Sequence, residues 1–379
     1  MFTPIDFSIP RIEIQLTENS KDIVLNAAKM QNTLCAVKIL DMPINSKVAL
    51  GEFKFIIGTD GDVTAETDAV LYENGIDTSE FNEELLKESI QTSIPEDEYK
   101  KRVDLRKKCI FTIDGESSRD LDDALHVTQL SEDLYEVGVH IADVTFFIKE
   151  GSELDRIAKQ RLTSVYLVQK AIPMLPRFLC ENFCSLVPSE DRLTFSVIWK
   201  ITSSGKICEE WFGRTIVNSA AKLNYKNVQK IIENKVNDDL PKIGNGFTIQ
   251  DIELSIKTLD KIAKSLRANR ENAGCLEMDK NKLNFSIDHA TLIPYEFNVE
   301  LKEESNMLVE AFMVLANFQV AHRIYEKFPL HSLLKYQPKP HLNRIEELSS
   351  LIKENGYNCD ITSSGSIQVN FSILCLEFV

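Results

Sequence analysis

Long apolar runs are missing from this sequence. The longest stretch of note, LVEAFMVLANFQVA from residue 308, is broken by Glu310, Asn317 and Gln319. It falls short of the ~20 residues that a membrane-spanning helix needs, so no transmembrane helix is expected. The opening MFTPIDFSIP lacks a basic segment followed by an apolar run, so it does not have the form of a secretory leader. Paired cysteines are missing too: Cys35, Cys109, Cys180, Cys184, Cys208, Cys275, Cys359 and Cys375 include no CxxC, in a chain of 379 residues that needs no disulfide staples. They are expected to be reduced, mostly buried thiols. Cys180 and Cys184 share one helical spacing but have no nearby His or Cys partner, which argues against zinc. Positive charge is short as well. With 43 Lys and Arg against 58 Asp and Glu, the net charge of −15 excludes a broad basic coat for nucleic acid. A local funnel of cations and aromatic faces for a single strand is still allowed. Repeats and low-complexity segments are absent. What remains is a cytosolic or nuclear globular chain, 43% hydrophobic and 27% charged, long enough for two or three domains.

The first part of the chain reads as short alternating segments, RIEIQL, TLCAVKIL and VALGEFKFII, separated by polar turns such as GTDGD. That is the pattern of a partial OB-fold-like β-barrel over residues 1–77, with fewer strands than the five of a complete one. An acidic and lysine-rich stretch broken by Pro95 reads as a linker over 78–108. From Cys109 a mixed α/β domain begins, giving an α+β chain as a whole. CIFTI and LYEVGVHIADVTFFI are strand-like, whereas SELDRIAKQRL, VQKIIENKV and ELSIKTLDKIAKSLRANRENAG have helical spacing, the last stopping at Gly274. KLNFSID is a further strand, followed by helices around Glu310 and from Arg344 to Glu354.

The most informative ten residues are DGESSRDLDD, which place Asp114, Asp120, Asp122 and Asp123 together after an apolar strand. Carboxylates packed together at reduced dielectric repel, so their pKa values rise or a cation neutralises them. All-oxygen ligands without His or Cys suit magnesium or manganese, and the EF-hand pattern is absent. Such a site fits phosphoryl chemistry. The alternative is a solvated acidic turn in which Ser118 or Asp120 caps a helix through DLDDAL, and clustering alone does not separate the two. An aspartate-based phosphatase using DLDDA is disfavoured, because its nucleophile should follow the strand directly, whereas Ser118 and Arg119 precede Asp120. Glu310 interrupts an apolar helical face and therefore needs a partner, a ligand or solvent. His140 and Asp143 in GVHIADV also sit among apolar residues; a buried structural hydrogen bond is the favoured reading for His140, and an outer-shell place for Asp143.

TIDGESSRDLDDA, GVHIADVTFFI, TSVYLVQKAIPMLPRFLCENFCSL, EEWFGRTIVNSAAKLNY and ESNMLVEAFMVLANFQVAH follow one another in the order and spacing of the ribonuclease II/R (RNB) family, which the chain resembles over roughly residues 1–345. Together with VDLRKKCIF they look most like the eukaryotic Dis-three-like exonuclease 2 branch. The resemblance implies a processive, hydrolytic 3′–5′ exoribonuclease that releases nucleoside 5′-monophosphates from single-stranded, uridine-tailed RNA in RNA decay. It would act in the cytoplasm, with P-bodies as one site, as a monomer, without the exosome and without a membrane. It places Mg²⁺, with Mn²⁺ as substitute, on Asp114 and Asp123, makes Asp122 necessary for catalysis and lets Asp120 support the site. Tyr166 and Tyr225 fall where members contact the 3′-terminal nucleotides, and Glu310 where a carboxylate meets the terminal sugar. Taken alone, Tyr166 and Tyr225 read more simply as core residues.

The chain also departs from that pattern. It ends before the SPIRR-type segment, whose arginine contacts the scissile phosphate in the family, and before the C-terminal OB-fold. The first cold-shock barrel is missing, and LLKYQPKP stands where close relatives have LLRRHPPP. Residues 109–360 are therefore read as an incomplete RNB catalytic domain, and 361–379 as a divergent apolar tail. Weak activity of this chain, or a non-catalytic RNA-binding role, is the corresponding expectation.

Overall fold

The computed structural model describes residues 1–15, 21, 30–82, 90–91, 93–235, 240–277, 282–288, 291–336, 338–358 and 360–369. Cys359, Cys375 and most of the expected tail lie outside the described residues. The chain divides into two units, one of Met1–Asn82, Ile157–Met174 and Asn284–Asn298, the other of Glu83–Arg156, Leu175–Leu283 and Val299–Val379.

In the first unit, the strands β1 (Ile12–Ile14), β2 (Thr33–Asp41) and β3 (Ala49–Thr59) make a sheet of order β1-β3-β2, with β1 parallel and β2 antiparallel to β3. Ile12, Ala36, Ala49 and Phe53 form its buried side. Helix α1 (Val63–Glu73) starts where the Asp62 carboxylate accepts the Ala65 amide hydrogen, and it lies so close to β3 that a Cβ on Gly58 would sit 2.5 Å from Ala65 Cβ. The expected partial barrel is thus an open three-stranded sheet among the described residues, too few strands to close.

The second unit is built on a seven-stranded sheet. In chain order its strands are β4 (Val103–Asp104), β5 (Ile110–Asp114), β6 (Asp123–Ser131), β7 (Leu134–Ala142), β10 (Asp191–Ile201), β11 (Ile207–Asn218) and β12 (Ala221–Asn224). Their spatial order is β12-β5-β6-β7-β10-β11-β4. The interior pairs are antiparallel and both outermost pairs are parallel. Two short strands, β8 (Val165–Tyr166) and β9 (Ala171–Ile172), form a hairpin of the first unit.

One face of the large sheet carries Phe111, Ile113, Leu125, Val137, Val139, Val197 and Trp199, all buried. Three helices cover it: Tyr225–Ile232, Ile249–Asn272 and Glu304–Lys327, which insert Val228 and Ile231, Ile256 and Leu259, and Leu308 and Phe312. Each such side chain contributes on the order of 1.5–3 kcal/mol by leaving water. Thr248 and Asp251 form a reciprocal capping box on the middle helix, and Gly274 follows its end at φ +88°, as the sequence predicts.

The other face carries a line of buried polar groups that crosses four strands. Lys108 Nζ pairs with Glu136 (2.8 Å), Glu136 meets His126 Nε2 (3.3 Å), and His126 Nδ1 meets His140 Nε2 (2.8 Å). His140 Nδ1 continues to Ser196 Oγ (2.7 Å), which bonds Thr215, which bonds Thr194. His140 is therefore a satisfied structural histidine. Burial holds both imidazoles below their ordinary range, hence neutral.

The structure corrects several expectations. Residues 78–108 are not only a linker: Glu96–Lys101 is helical and β4 pairs with β11, because buried Arg102, bonded to Glu98 of its own segment (2.8 Å), ties that segment to Asp143 (2.7 Å) and to the Thr194 carbonyl of β10 (3.3 Å). VTFF in the long strand-like stretch forms a helical turn after β7 ends. Of the described cysteines only Cys184 is fully buried; Cys208 is exposed and the others are half-buried. Among the described residues no helix is long and apolar enough to cross a membrane.

Gly138 leaves room for the histidine pair, since a Cβ there would lie 2.3 Å from His126 Cε1. Gly138→Ala is expected to displace that ring and destabilise the protein by about 1–3 kcal/mol, the usual range for overpacking. Urea unfolding checks this, and an unchanged midpoint would show that the ring has slack.

Candidate active site

Antiparallel pairing of β5 with β6 aligns Ile110 with His126 and Phe111 with Leu125, so the end of β5 and the start of β6 lie side by side. Asp114 is the last residue of β5 and Asp123 the first of β6. The helix through DLDDAL that clustering allowed does not form; the segment enters a strand instead. The parallel neighbour β12 aligns Asn224 with Asp114. It thereby brings Tyr225, the first residue of the following helix, to the same end of the sheet.

The loop between Asp114 and Asp123 is sewn down at several points. The Ser118 amide donates to the Gly115 carbonyl (3.1 Å), and Ser185 Oγ donates to the Arg119 carbonyl (2.7 Å) while accepting from the Leu121 amide (3.1 Å). Leu121 itself is buried, and its carbonyl accepts from the Leu186 amide (2.9 Å). The Asp122 carbonyl accepts from the Ala142 amide (2.9 Å), which fixes Asp122 to the end of β7. From β12, Lys222 Nζ donates to the carbonyls of Ser118 (2.6 Å) and Glu116 (3.4 Å).

Held in this way, the carboxylates repel. Burial, then the neighbouring Asp123, push Asp114 up to about 7. Asp122 keeps an open side to solvent, yet burial of its inner side and then Asp120 and Asp123 push it up to about 6. Burial raises Asp123 too. Asp114 Oδ2 is buried and accepts no hydrogen bond. An orphaned buried carboxylate oxygen beside a second raised carboxylate fits a hard cation better than any group the chain itself offers. No set of three or more His, Cys, Asp or Glu among the described residues is close enough to enclose a metal. Magnesium does not require one: it is commonly bound by one or two carboxylates together with waters and substrate phosphate. Asp114 and Asp123 are the pair that could hold it.

The remaining expected residues are dispersed. Tyr225 is half-buried and packs against the core of the second unit. Tyr166 is 71% exposed, so it is not a core residue, and it belongs to the first unit. Glu310 finds its partner in Lys302 (2.9 Å), which also pairs with Glu277 (3.0 Å), and it lines a shallow depression with Arg267 and Arg270. Asp143 is buried and committed to Arg102, with Arg214 at 3.6 Å, which makes it a structural anion at the end of β7. Sequence reasoning overlooked Lys222 and Ser185. A lysine inside the apolar run AAKLNY was the one available sign of the former.

The raised carboxylates carry a stability consequence. A folded pKa above the unfolded value of ~3.9 means that the native state loses stability as pH rises toward about 7. Asp114→Asn is therefore expected to melt higher than the parent at pH 8 in chelator, with the difference closing as pH falls through 7 toward 4. Thermal melts across that range test this, and an equal gap at pH 4 and pH 8 would rule out charge repulsion as its source.

Comparisons with known proteins bear on the family and the fold. The RNB domain matches residues 102–373, and the Dis3-like cold-shock domain 2 matches residues 1–75. DIS3-like exonuclease 2 of Xenopus tropicalis is 42% identical over 374 residues, covering 97% of this chain and 45% of that protein. The protein of the same name from Schizosaccharomyces pombe is 41% identical over 379 residues, covering 98% and 41%. The chain thus spans less than half the length of these relatives. The structure of Mycoplasma genitalium RNase R in complex with ribose-methylated single-stranded RNA superposes with a TM-score of 0.78 at 20% identity, covering 97% of this chain and 55% of that one, a likeness of fold. With the RNB domain matched over well more than half its length, and the acidic loop of that match set at the end of the seven-stranded sheet, the chain belongs to the RNB domain family.

Proposed function

We propose that this chain is the catalytic part of a divalent-metal-dependent 3′–5′ exoribonuclease that hydrolyses single-stranded RNA, with a uridine-rich 3′ end as its preferred substrate, to nucleoside 5′-monophosphates. The observation that carries the reading is the meeting of Asp114, Asp122 and Asp123 at one end of the sheet, with Asp114 Oδ2 buried and unpartnered. The names of the relatives supply the exonuclease class; the motif resemblance supplies the uridine-tailed substrate, the magnesium and action without the exosome.

Asp114 and Asp123 would hold the ion, which when bound neutralises phosphate charge and acidifies a water. Asp122 lies on the open side of the cluster and is poised near neutrality, so its carboxylate can accept the proton of the attacking water. The water oxygen bonds to phosphorus, the P–O3′ bond breaks, and the 3′-oxygen leaves on the shortened RNA as a hydroxyl. Tyr225, at the same end of the sheet, offers an aromatic face to a base near the cleaved bond. Glu310 and the exposed Tyr166 are assigned to the 3′-terminal sugar and the strand, respectively, by their place in the motifs.

Two variants test the reading with end-labelled, uridine-tailed RNA, in magnesium and in chelator. Asp122→Asn should lower the cleavage rate by at least the ~10²- to 10⁴-fold typical of a lost general base, while RNA is still retained on a filter. Equal turnover of variant and parent at saturating magnesium would sink the assignment. Tyr225→Ala should change the length of the shortest product, since each stacked base is worth ~1–3 kcal/mol. The same end product with a lower melting temperature would make Tyr225 a packing residue.

A further inference from the structure

We propose that Lys222 is the positioning residue of the acidic loop. This rests on the proposed reading of the loop as the reactive site. Lys222 stands on β12, aligned with Thr112 of the parallel strand β5, two residues before the position that carries Asp114. Its ammonium is half-buried and donates to two backbone carbonyls of the loop, Ser118 at 2.6 Å and Glu116 at 3.4 Å. No carboxylate of the described residues lies within ion-pair distance of it. A lysine beside four aspartates would be expected to pair with one of them; this one grips the loop backbone instead, and reaches Asp114 only through its charge, which partly opposes the rise of that carboxyl's pKa.

Two effects of this cation oppose each other. Its charge repels a bound divalent ion, and its hydrogen bonds hold the strand-to-strand turn that sets Asp114 and Asp123 side by side. Ser185 anchors the far half of the same loop through the Arg119 carbonyl and the Leu121 amide. Lys226 offers the near half only an exposed, 3.7 Å contact with Glu116. The near half therefore depends on Lys222, and the positioning effect prevails over the repulsion.

The sign of the change in metal affinity separates the two effects. Lys222→Met removes both charge and donors, Lys222→Gln keeps a donor without the charge, and Lys222→Arg keeps both. Mn²⁺ binding to the RNA-free protein, followed by titration calorimetry, should weaken by about 10- to 100-fold in Lys222→Met, the usual effect of losing a group that orients metal ligands. Lys222→Gln should be partly restored and Lys222→Arg close to the parent. Hydrogen exchange at the Ser118 and Leu121 amides in metal-free protein should speed up at Ser118 in Lys222→Met and stay slow at Leu121, which Ser185 holds. Tighter Mn²⁺ binding by Lys222→Met, or unchanged exchange at Ser118, overturns the proposal. A parent that binds no Mn²⁺ would overturn the metal reading of the site, and the exchange rates would then still decide whether Lys222 holds the loop. Thermal melts of all three variants separate local loosening, in which only Ser118 exchanges faster, from global unfolding, in which Lys222→Met loses its transition and the proposal falls.

Discussion

Mutual repulsion of carboxylates at one end of a sheet is the constraint that the surrounding structure has to satisfy. Asp114 and Asp123 come close because β5 and β6 are antiparallel neighbours whose ladder opens just before them. Backbone ties from Ser185, Lys222 and Ala142 keep the intervening loop from swinging its charges outward. Burial first, and the repulsion after it, raise the pKa values and accompany an orphaned oxygen, a local loss of stability that is characteristic of sites prepared for a ligand.

Around this end the two faces of the sheet are held in different ways, and among the described residues Thr112 Oγ1 and Trp199 Nε1 stay buried without a hydrogen-bond partner. The helices over one face complete an apolar core around Trp199, and the opposite face trades apolar packing for a continuous hydrogen-bonded line from Lys108 to Thr194. A line of that kind is costly if any member lacks a partner, so it enforces one alignment of four strands and transmits that alignment to the end where the aspartates lie. Arg102 does the same from below, since its buried guanidinium accepts no other arrangement of Glu98 and Asp143.

Features set by local periodicity were legible in the sequence. The three alternating segments at the start are β1, β2 and β3, and the helix Ile249–Asn272 ends at the stop that Gly274 marks. The segment DLDDAL could not be resolved locally, because aspartates favour a helix start as readily as a metal loop, and pairing of Asp123, Ala124 and Leu125 with β7 decides for a strand. Partners distant in sequence were invisible: Arg102 for Asp143 and Val103 for Thr215. Polarity among apolar residues announced that Glu310, His140 and Asp143 needed something, but not what. Lys222 escaped notice because it binds carbonyls, and every sequence has those.

The two parallel edges of the large sheet bear on how the chain reaches this state. Val103 joins Thr215 and Phe111 joins Ala221, so neither edge can seat until the whole stretch between them has been synthesised. The inner hairpins β6–β7 and β10–β11 can form early from neighbouring residues, yet the helices that shield Trp199 come last in the chain. During translation a nearly complete sheet therefore presents one bare apolar face. Its completion is timed by the closure of long loops, which makes this a slow-folding topology that relies on protection of the nascent chain.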